Sequence, residues 1–328
     1  MLVVERELAG VRLTDLLVRA RPRTHRVDLR QLLASGEISV NGQICVHDRR
    51  MRTGDVVQMR REPPRRPPPA RAIPTPDVLC ETDGAVVVAK PAGLPTVPDR
   101  AGHSPGVHGL LRAWRPDDDL RIVHRLDRDT SGCLILAKGP HAARHFDQLL
   151  RARRVRKTYV ALVAGAPPSD AFAVDAWLGP DRRRPGKVTW SADGRAGFRE
   201  AHTDVRVRRR FRRHALLELS PTTGRGHQLR VHLQSVSMPI VADDDYGGEP
   251  LLLSELKPDY RRRKGVAERP LLQRMFLHAE RVLFEDVDGA AVDVAAPLPE
   301  DLAVALRHVE KHGGDGTGVA GARRPSCD

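Results

Sequence analysis

The stretch His124-Arg125-Leu126-Asp127-Arg128-Asp129-Thr130-Ser131-Gly132 crowds two carboxylates, two guanidinium groups and an imidazole together, and the apolar run Cys133-Leu134-Ile135-Leu136-Ala137 follows at once. The run reads as a buried strand, so the polar stretch is a loop on a rigid support, where reactive groups are usually carried. A carboxylate bracketed by Arg125 and Arg128 is favoured as the anion and can serve as a nucleophile. Asp127 and Asp129 both fit that description, and a turn laced with salt bridges fits it too.

Two further stretches carry polar groups on apolar frames. Val155 to Gly165 reads as a strand buried on both faces with a single phenol, Tyr159, which suits a core tyrosine with a satisfied hydroxyl or a stacking residue. The strand Ala215-Leu216-Leu217-Glu218-Leu219 turns through Ser220 to Gly224 into Arg225-Gly226-His227-Gln228-Leu229-Arg230-Val231-His232-Leu233. Helical spacing predicts His227, Arg230 and Gln234 on one face and Leu229, Leu233 and Val236 on another. On pattern alone Arg230 is a solvated helix charge.

Taken in order, these blocks resemble the RluA family of pseudouridine synthases. His124 to Gly132 matches His-Arg-Leu-Asp-x-x-Thr-Ser-Gly, Lys157 to Gly165 fits Lys-x-Tyr-x-Ala-x-Val-x-Gly, and Pro221 to His232 is similar to Pro-x-Thr-Gly-Arg-x-His-Gln-Leu-Arg-x-His. Lys90-Pro91-Ala92-Gly93-Leu94-Pro95-Thr96 matches the family's entry segment, and Pro239 to Gly247 continues the pattern. The resemblance implies an isomerase of RNA uridines with Asp127 as nucleophile and Asp129 structural. It implies that Arg125 fills the stack left by a flipped base, that Tyr159 faces the base and that Arg230 ion-pairs with Asp127. His124, Arg225 and His227 are the remaining substrate-side candidates. Ser237 and Ala242 stand where relatives usually have Gly, so a turn needing positive φ would be strained there.

Positioning these groups requires a body and its attachments. Residues 1–60 read as a separate module. Leu13, Leu16 and Leu17 share one helical face, Leu29, Leu32 and Leu33 another, and Asn41-Gly42 between alternating apolar residues signals a two-residue hairpin. This run resembles the S-four-type RNA-binding module, which implies RNA contacts at Arg26 and Arg30. Residues 61–75 are nearly all Arg and Pro where they begin, a basic linker in extended geometry. Residues 76–310 mix short apolar runs with Gly- and Pro-rich turns and no regular strand–helix alternation, which argues for an α+β fold. The resemblance makes it a pseudouridine synthase-type catalytic domain, a mixed, mostly antiparallel sheet with flanking helices. Residues 311–328 hold little that is apolar and read as a disordered tail.

Composition narrows the partner. Of 328 residues, 55 are Lys or Arg against 42 Asp or Glu, a formal net charge of +13, which points to a polyanion. Basic clusters at Arg151–Lys157, Arg206–Arg213 and Arg261–Lys264 can follow a phosphate backbone, which suits a large RNA. No apolar run approaches the ~20 residues of a membrane span, and the amino-terminal segment has no signal-peptide pattern, so a cytoplasmic chain without a membrane partner is expected. Four scattered cysteines suggest neither disulfides nor a zinc knuckle. A glycosidic isomerisation imports no bond energy and calls for no ATP, metal or redox cofactor. The expected partner is structured RNA, with ribosomal RNA of the large subunit first and transfer RNA second, met by a monomer. The rival readings are a non-catalytic RNA-binding or ribosome assembly factor, a metal hydrolase built on His124, His227 and His232, and an enzyme that removes the base hydrolytically.

Overall fold

Apolar residues recurring at helical spacing near the amino terminus close over a small sheet. The computed structural model describes residues 2–20, 29, 32–59, 76–97, 106–257, 259–260 and 268–314. The chain divides into two compact units, one over Met1–Ala72 with Arg261–Arg269 and a larger one over Ile73–Tyr260 and Pro270–Asp328.

In the first unit β1 (Leu2–Val3), β2 (Ile38–Val40), β3 (Gln43–Ile44) and β4 (Val56–Met59) form an antiparallel sheet in the order β1-β4-β2-β3. Helix α1 (Leu13–Ala20) buries Leu13, Leu16 and Leu17, and Leu29, Leu32 and Leu33 join them against Ile38, Val40 and Val57. Both leucine triplets thus take the inward place that helical spacing assigns them. Val40 pairs with Gln43, and the residues between them have φ of 53° at Asn41 and 76° at Gly42, the turn type that Asn-Gly favours. Ile44 is exposed on β3, the edge strand of this sheet.

The larger unit is built on one sheet of eleven strands. They are β5 (Asp77–Glu81), β6 (Ala85–Lys90), β7 (Leu120–Ile122), β8 (Ser131–Lys138), β9 (Arg156–Ala164), β10 (Ala171–Pro180), β11 (Val188–Ser191), β12 (Arg199–Arg210), β13 (His214–Pro221), β14 (Leu277–Glu285) and β15 (Ala291–Ala295). The main path runs β11-β10-β12-β13-β9-β14-β8-β6-β5, with β7 on β8 and β15 on β14. Neighbours are antiparallel except β8 and β14, which run parallel through Ser131 beside His278 and Gly132 beside Ala279. The fold is α+β, as the sequence argued, with α2 (Gly106–Trp114), α3 (Gly139–Arg151), α4 (Gln228–Ser235), the single turn α5 (Leu253–Leu256) and α6 (Glu300–His312) flanking the sheet.

Strand β8 carries the loop of chemical interest and is apolar on both faces. Leu134 and Leu136 enter the core that also holds Leu229 and Leu233 of α4. Cys133 and Ile135 enter a second core beneath Ala142, Phe146 and Leu149 of α3. The period-two alternation of a strand thus serves two layers at once. Gly132, the second residue of this strand, has φ 115°, and a Cβ there would stand 2.1 Å from the carbonyl oxygen of Ala279. Only glycine permits β14 so close to the reactive loop.

Helix α6 continues to His312 and buries Leu302, Ala305 and Val309, so regular structure passes the boundary expected at residue 310. Residues 61–75 and 315–328 lie outside the described residues, as do Arg26 and Arg30. No described helix is long and apolar enough to cross a membrane.

Candidate active site

The loop from Val123 to Thr130 is fixed by a second loop, residues 90–96. Thr96 Oγ1 donates to the Leu126 carbonyl at 2.8 Å and accepts the Leu126 amide at 3.0 Å, so one hydroxyl closes both backbone groups of the residue before Asp127. Lys90, 1% exposed, donates to the carbonyls of Pro91, Leu94 and Arg128 at 2.8, 2.7 and 3.1 Å. Burial pushes this ammonium down to about 7 against the pull of the Asp129 and Asp127 charges. The Gly93 amide adds a bond to the Arg128 carbonyl at 2.9 Å. From the other side the Ile135 amide donates to His124 Nε2 at 2.9 Å. Burial takes that imidazole down to about 3, and a neutral ring is the form able to accept there.

Asp127 then projects into an open cleft whose wall includes Arg125, Lys157, Tyr159, Arg225, His227 and Arg230. Asp129 is not part of that wall, so tertiary structure separates two carboxylates that the sequence left equivalent. The bracketing of Asp127 by Arg125 and Arg128 does not occur as expected. Arg128 donates from Nε to the Gly93 carbonyl at 3.0 Å, and the cation facing Asp127 is Arg230, with Nη1 3.5 Å from Oδ2.

Arg230 is 8% exposed, so it is no solvated helix charge. Its Nε and Nη2 each donate to the Asp243 carboxylate at 2.7 Å, Nη2 lies 3.2 Å from Asp245, and the guanidinium sits 4.7 Å from the Tyr246 ring centre. Burial works against the charge, but the Asp243 hydrogen bonds and the Asp243, Asp127 and Asp245 charges outweigh it, and Arg230 is held as a cation. Asp243, Asp245 and Tyr246 thus hold the guanidinium that faces Asp127.

Tyr159 comes from β9, between Leu219 of β13 and Ala279 of β14. It is 8% exposed, and burial reinforced by the Asp127 charge raises its hydroxyl far above the ordinary value. A neutral phenol therefore lies in the wall beside the carboxylate.

His227 is not on the helix face predicted for it. Helix α4 begins at Gln228, and His227 precedes it with φ 55°, turning its ring so that Nδ1 meets the Tyr246 hydroxyl at 2.7 Å. His232 is buried against Thr203 Oγ1 at 3.0 Å. The three histidines of the metal reading thus have separate partners, and among the described residues no group of three His, Cys, Asp or Glu has metal-holding geometry.

The basic clusters are partly neutralised. Arg154 pairs with Glu285, Arg208 with Glu218 and Glu280, Arg209 with Glu310 and Arg210 with Asp170. Arg261–Lys264 fall outside the described residues. Lys90, Thr96 and Asp243 are the working residues that sequence reasoning did not single out. Each sits inside a matched block, but its task is set by a segment far along the chain.

Residues 84–235 match the family described as RNA pseudouridylate synthase. Over 311 residues the chain is 36% identical to ribosomal large subunit pseudouridine synthase D of Xanthomonas campestris pv. campestris, covering 92% of this chain and 89% of that relative. Over 332 residues it is 31% identical to ribosomal large subunit pseudouridine synthase C of Yersinia pestis, covering 95% and 96%. Human RNA pseudouridylate synthase domain containing 4 is a solved neighbour with a TM-score of 0.57 and 26% identity, over 71% of this chain and 92% of its own. Human RNA pseudouridylate synthase domain containing 1, with a TM-score of 0.54 and 24% identity over 74% and 98%, shares the fold.

Proposed function

We propose that this chain, which belongs to the RNA pseudouridylate synthase family and isomerises uridine to pseudouridine in RNA, acts on large-subunit ribosomal RNA with Asp127 as its nucleophile. The observation that carries the assignment is the Asp127 carboxylate in the cleft, 3.5 Å from a buried Arg230 that three further side chains hold in place. The relatives named for the large ribosomal subunit support the substrate.

The target uridine leaves its stack to enter the cleft, because the reacting ring edge and sugar are out of reach inside a helix. Arg125, exposed at the rim, replaces the lost stacking with its guanidinium plane. Tyr159 packs on the uracil. Its neutral hydroxyl serves as a relay for the ring proton rather than as a resting phenolate. The glycosidic bond to nitrogen breaks, the base rotates and a bond to carbon forms, with no atom gained or lost. Catalysis therefore rests on positioning and on charge complementarity at Asp127. Attack on the anomeric carbon, addition to the ring and removal of the 2′ proton are all within reach of this carboxylate.

Arg225 and His227 contact RNA at the other rim, and His124 is reassigned from RNA contact to holding the loop through Ile135. Residues 1–60 act as an S-four-type RNA-binding module through Arg26 and Arg30, 61–75 as a tether, 76–310 as the catalytic domain and 311–328 as a tail. The chain works in the cytoplasm as a monomer.

The test incubates the protein and its Asp127→Ala variant with protein-free ribosomal and transfer RNA, followed by mapping of pseudouridine by carbodiimide-blocked primer extension. Asp127-dependent stops in large-subunit RNA are expected. Stops confined to transfer RNA would overturn the substrate, and salt-sensitive binding with no stops on any RNA would return the assembly-factor reading.

A further inference from the structure

Lys157 is the charged residue of the cleft that the mechanism leaves unused. It stands in the wall with Asp127, Tyr159 and Arg230, and neither a hydrogen bond nor an ion pair ties its ammonium to any described residue. The contrast with the neighbouring cations is sharp. Arg230 is bound to carboxylates, and Arg225 donates from Nε to the Glu200 carbonyl at 3.0 Å. Lys157 is withdrawn from water, and burial alone pulls its ammonium below the usual lysine range with no carboxylate restoring it. A half-buried cation without an anion costs stability, so a chain that retains one is expected to gain when the anion arrives.

The anion's position follows from the backbone. Lys157 and Tyr159 are two apart on β9, project from the same face and lie about 6.7 Å apart along the strand. Across the gap is Gly224, where an added Cβ would stand in van der Waals contact with Nζ at 3.8 Å, so the missing side chain leaves room beside the ammonium. Uracil has no anionic group, and the charge nearest to it in RNA is the phosphate beside its ribose.

Resting on the reading that the cleft receives a flipped uridine, we propose that Lys157 is a phosphate anchor, binding a backbone phosphate adjacent to the target so that the base meets Tyr159 and the sugar meets Asp127. It is a positioning residue for the known reaction.

The experiment uses the full chain and an unmodified large-subunit ribosomal RNA transcript tritiated at the uracil carbon that loses its proton, with tritium release followed over a salt series. Lys157→Met should raise KM roughly 10- to 100-fold, the loss expected for one charge-assisted contact, with kcat little changed. The slope of log(kcat/KM) against log salt should fall by about 0.7 to 0.9, one phosphate's worth. Lys157→Arg should restore both. The Met variant should melt no lower than the parent, because an unpaired half-buried charge has been removed. Unchanged KM and slope would overturn the proposal, as would a raised KM with the salt slope intact, which would mean that the ammonium meets a neutral carbonyl of the base. A sharply lowered melting point would make Lys157 a structural residue. Absence of tritium release by the parent protein on ribosomal RNA would overturn the underlying substrate reading instead.

Discussion

Helix α4, which carries Arg230, ends in a motif that asks for glycine and receives serine. The Met238 amide donates to the Leu233 carbonyl at 2.8 Å and the Ser237 amide to the Gln234 carbonyl at 3.0 Å, the paired bonds of a Schellman cap, with Ser237 in the left-handed region at φ 60°. Met238 and Leu233 are buried together, so the cap also has its apolar contact. Ser237→Gly relieves a left-handed backbone cost of about 1–2 kcal/mol and gives back about 0.4–1 kcal/mol through the freer unfolded chain. Ser237 is exposed, so little packing is lost. The variant should be more stable by about 0.5–1 kcal/mol, a rise in melting temperature of roughly 1–4 °C for a unit of this size. Ala242, also at φ 60°, is partly buried against the core. Loss of its methyl, worth up to about 0.8 kcal/mol, should leave Ala242→Gly near neutral. Urea unfolding monitored by circular dichroism gives the midpoints, and an unchanged slope assigns the shift to stability. Ser237→Ala, which keeps the Cβ, is the control and should not move. A Ser237→Gly midpoint at or below the parent's, at equal slope, would refute the strain argument.

Arg230→Ala should cost about 3–5 kcal/mol, because Asp243, whose side chain is 1% exposed, loses its paired guanidinium hydrogen bonds and stays buried as an uncompensated charge. Denaturant titration reads this, and a loss of activity with wild-type stability would contradict the network described. Stability should fall as pH drops below 6.5. Burial holds His124 at about 3 and His214 and His232 at about 4, so the unfolded chain takes up protons that these folded sites refuse, and the loss accumulates from about pH 6.5 toward 4. His202, raised chiefly by its hydrogen bond to Asp175, works in the opposite direction over the same range. A melting temperature constant between about pH 7 and 5 would show that these imidazoles are not excluded from water.

What the sequence alone determined has a range of a few residues. The inward leucines of α1, the Asn41-Gly42 turn and the two-faced strand β8 all follow from side-chain periodicity or turn chemistry between near neighbours, while the strained positions Ser237 and Ala242 were marked by the resemblance. The ordered blocks likewise pointed to Asp127, Tyr159 and Arg230 before any fold was known. Tertiary structure decided which charges meet. Arg128, beside Asp127 in sequence, turns to Gly93, while Arg230 is brought over on α4 and buried with Asp243. His227 leaves the predicted helix face because the left-handed backbone at its position lets the helix start only at Gln228. His124 becomes an acceptor for Ile135, and Lys90 and Thr96 become the clamp of the reactive loop, through hydrogen bonds to backbone groups. Periodicity reports which way a side chain faces. Only the packed sheet brings distant segments within the few ångströms over which a hydrogen bond or an ion pair acts.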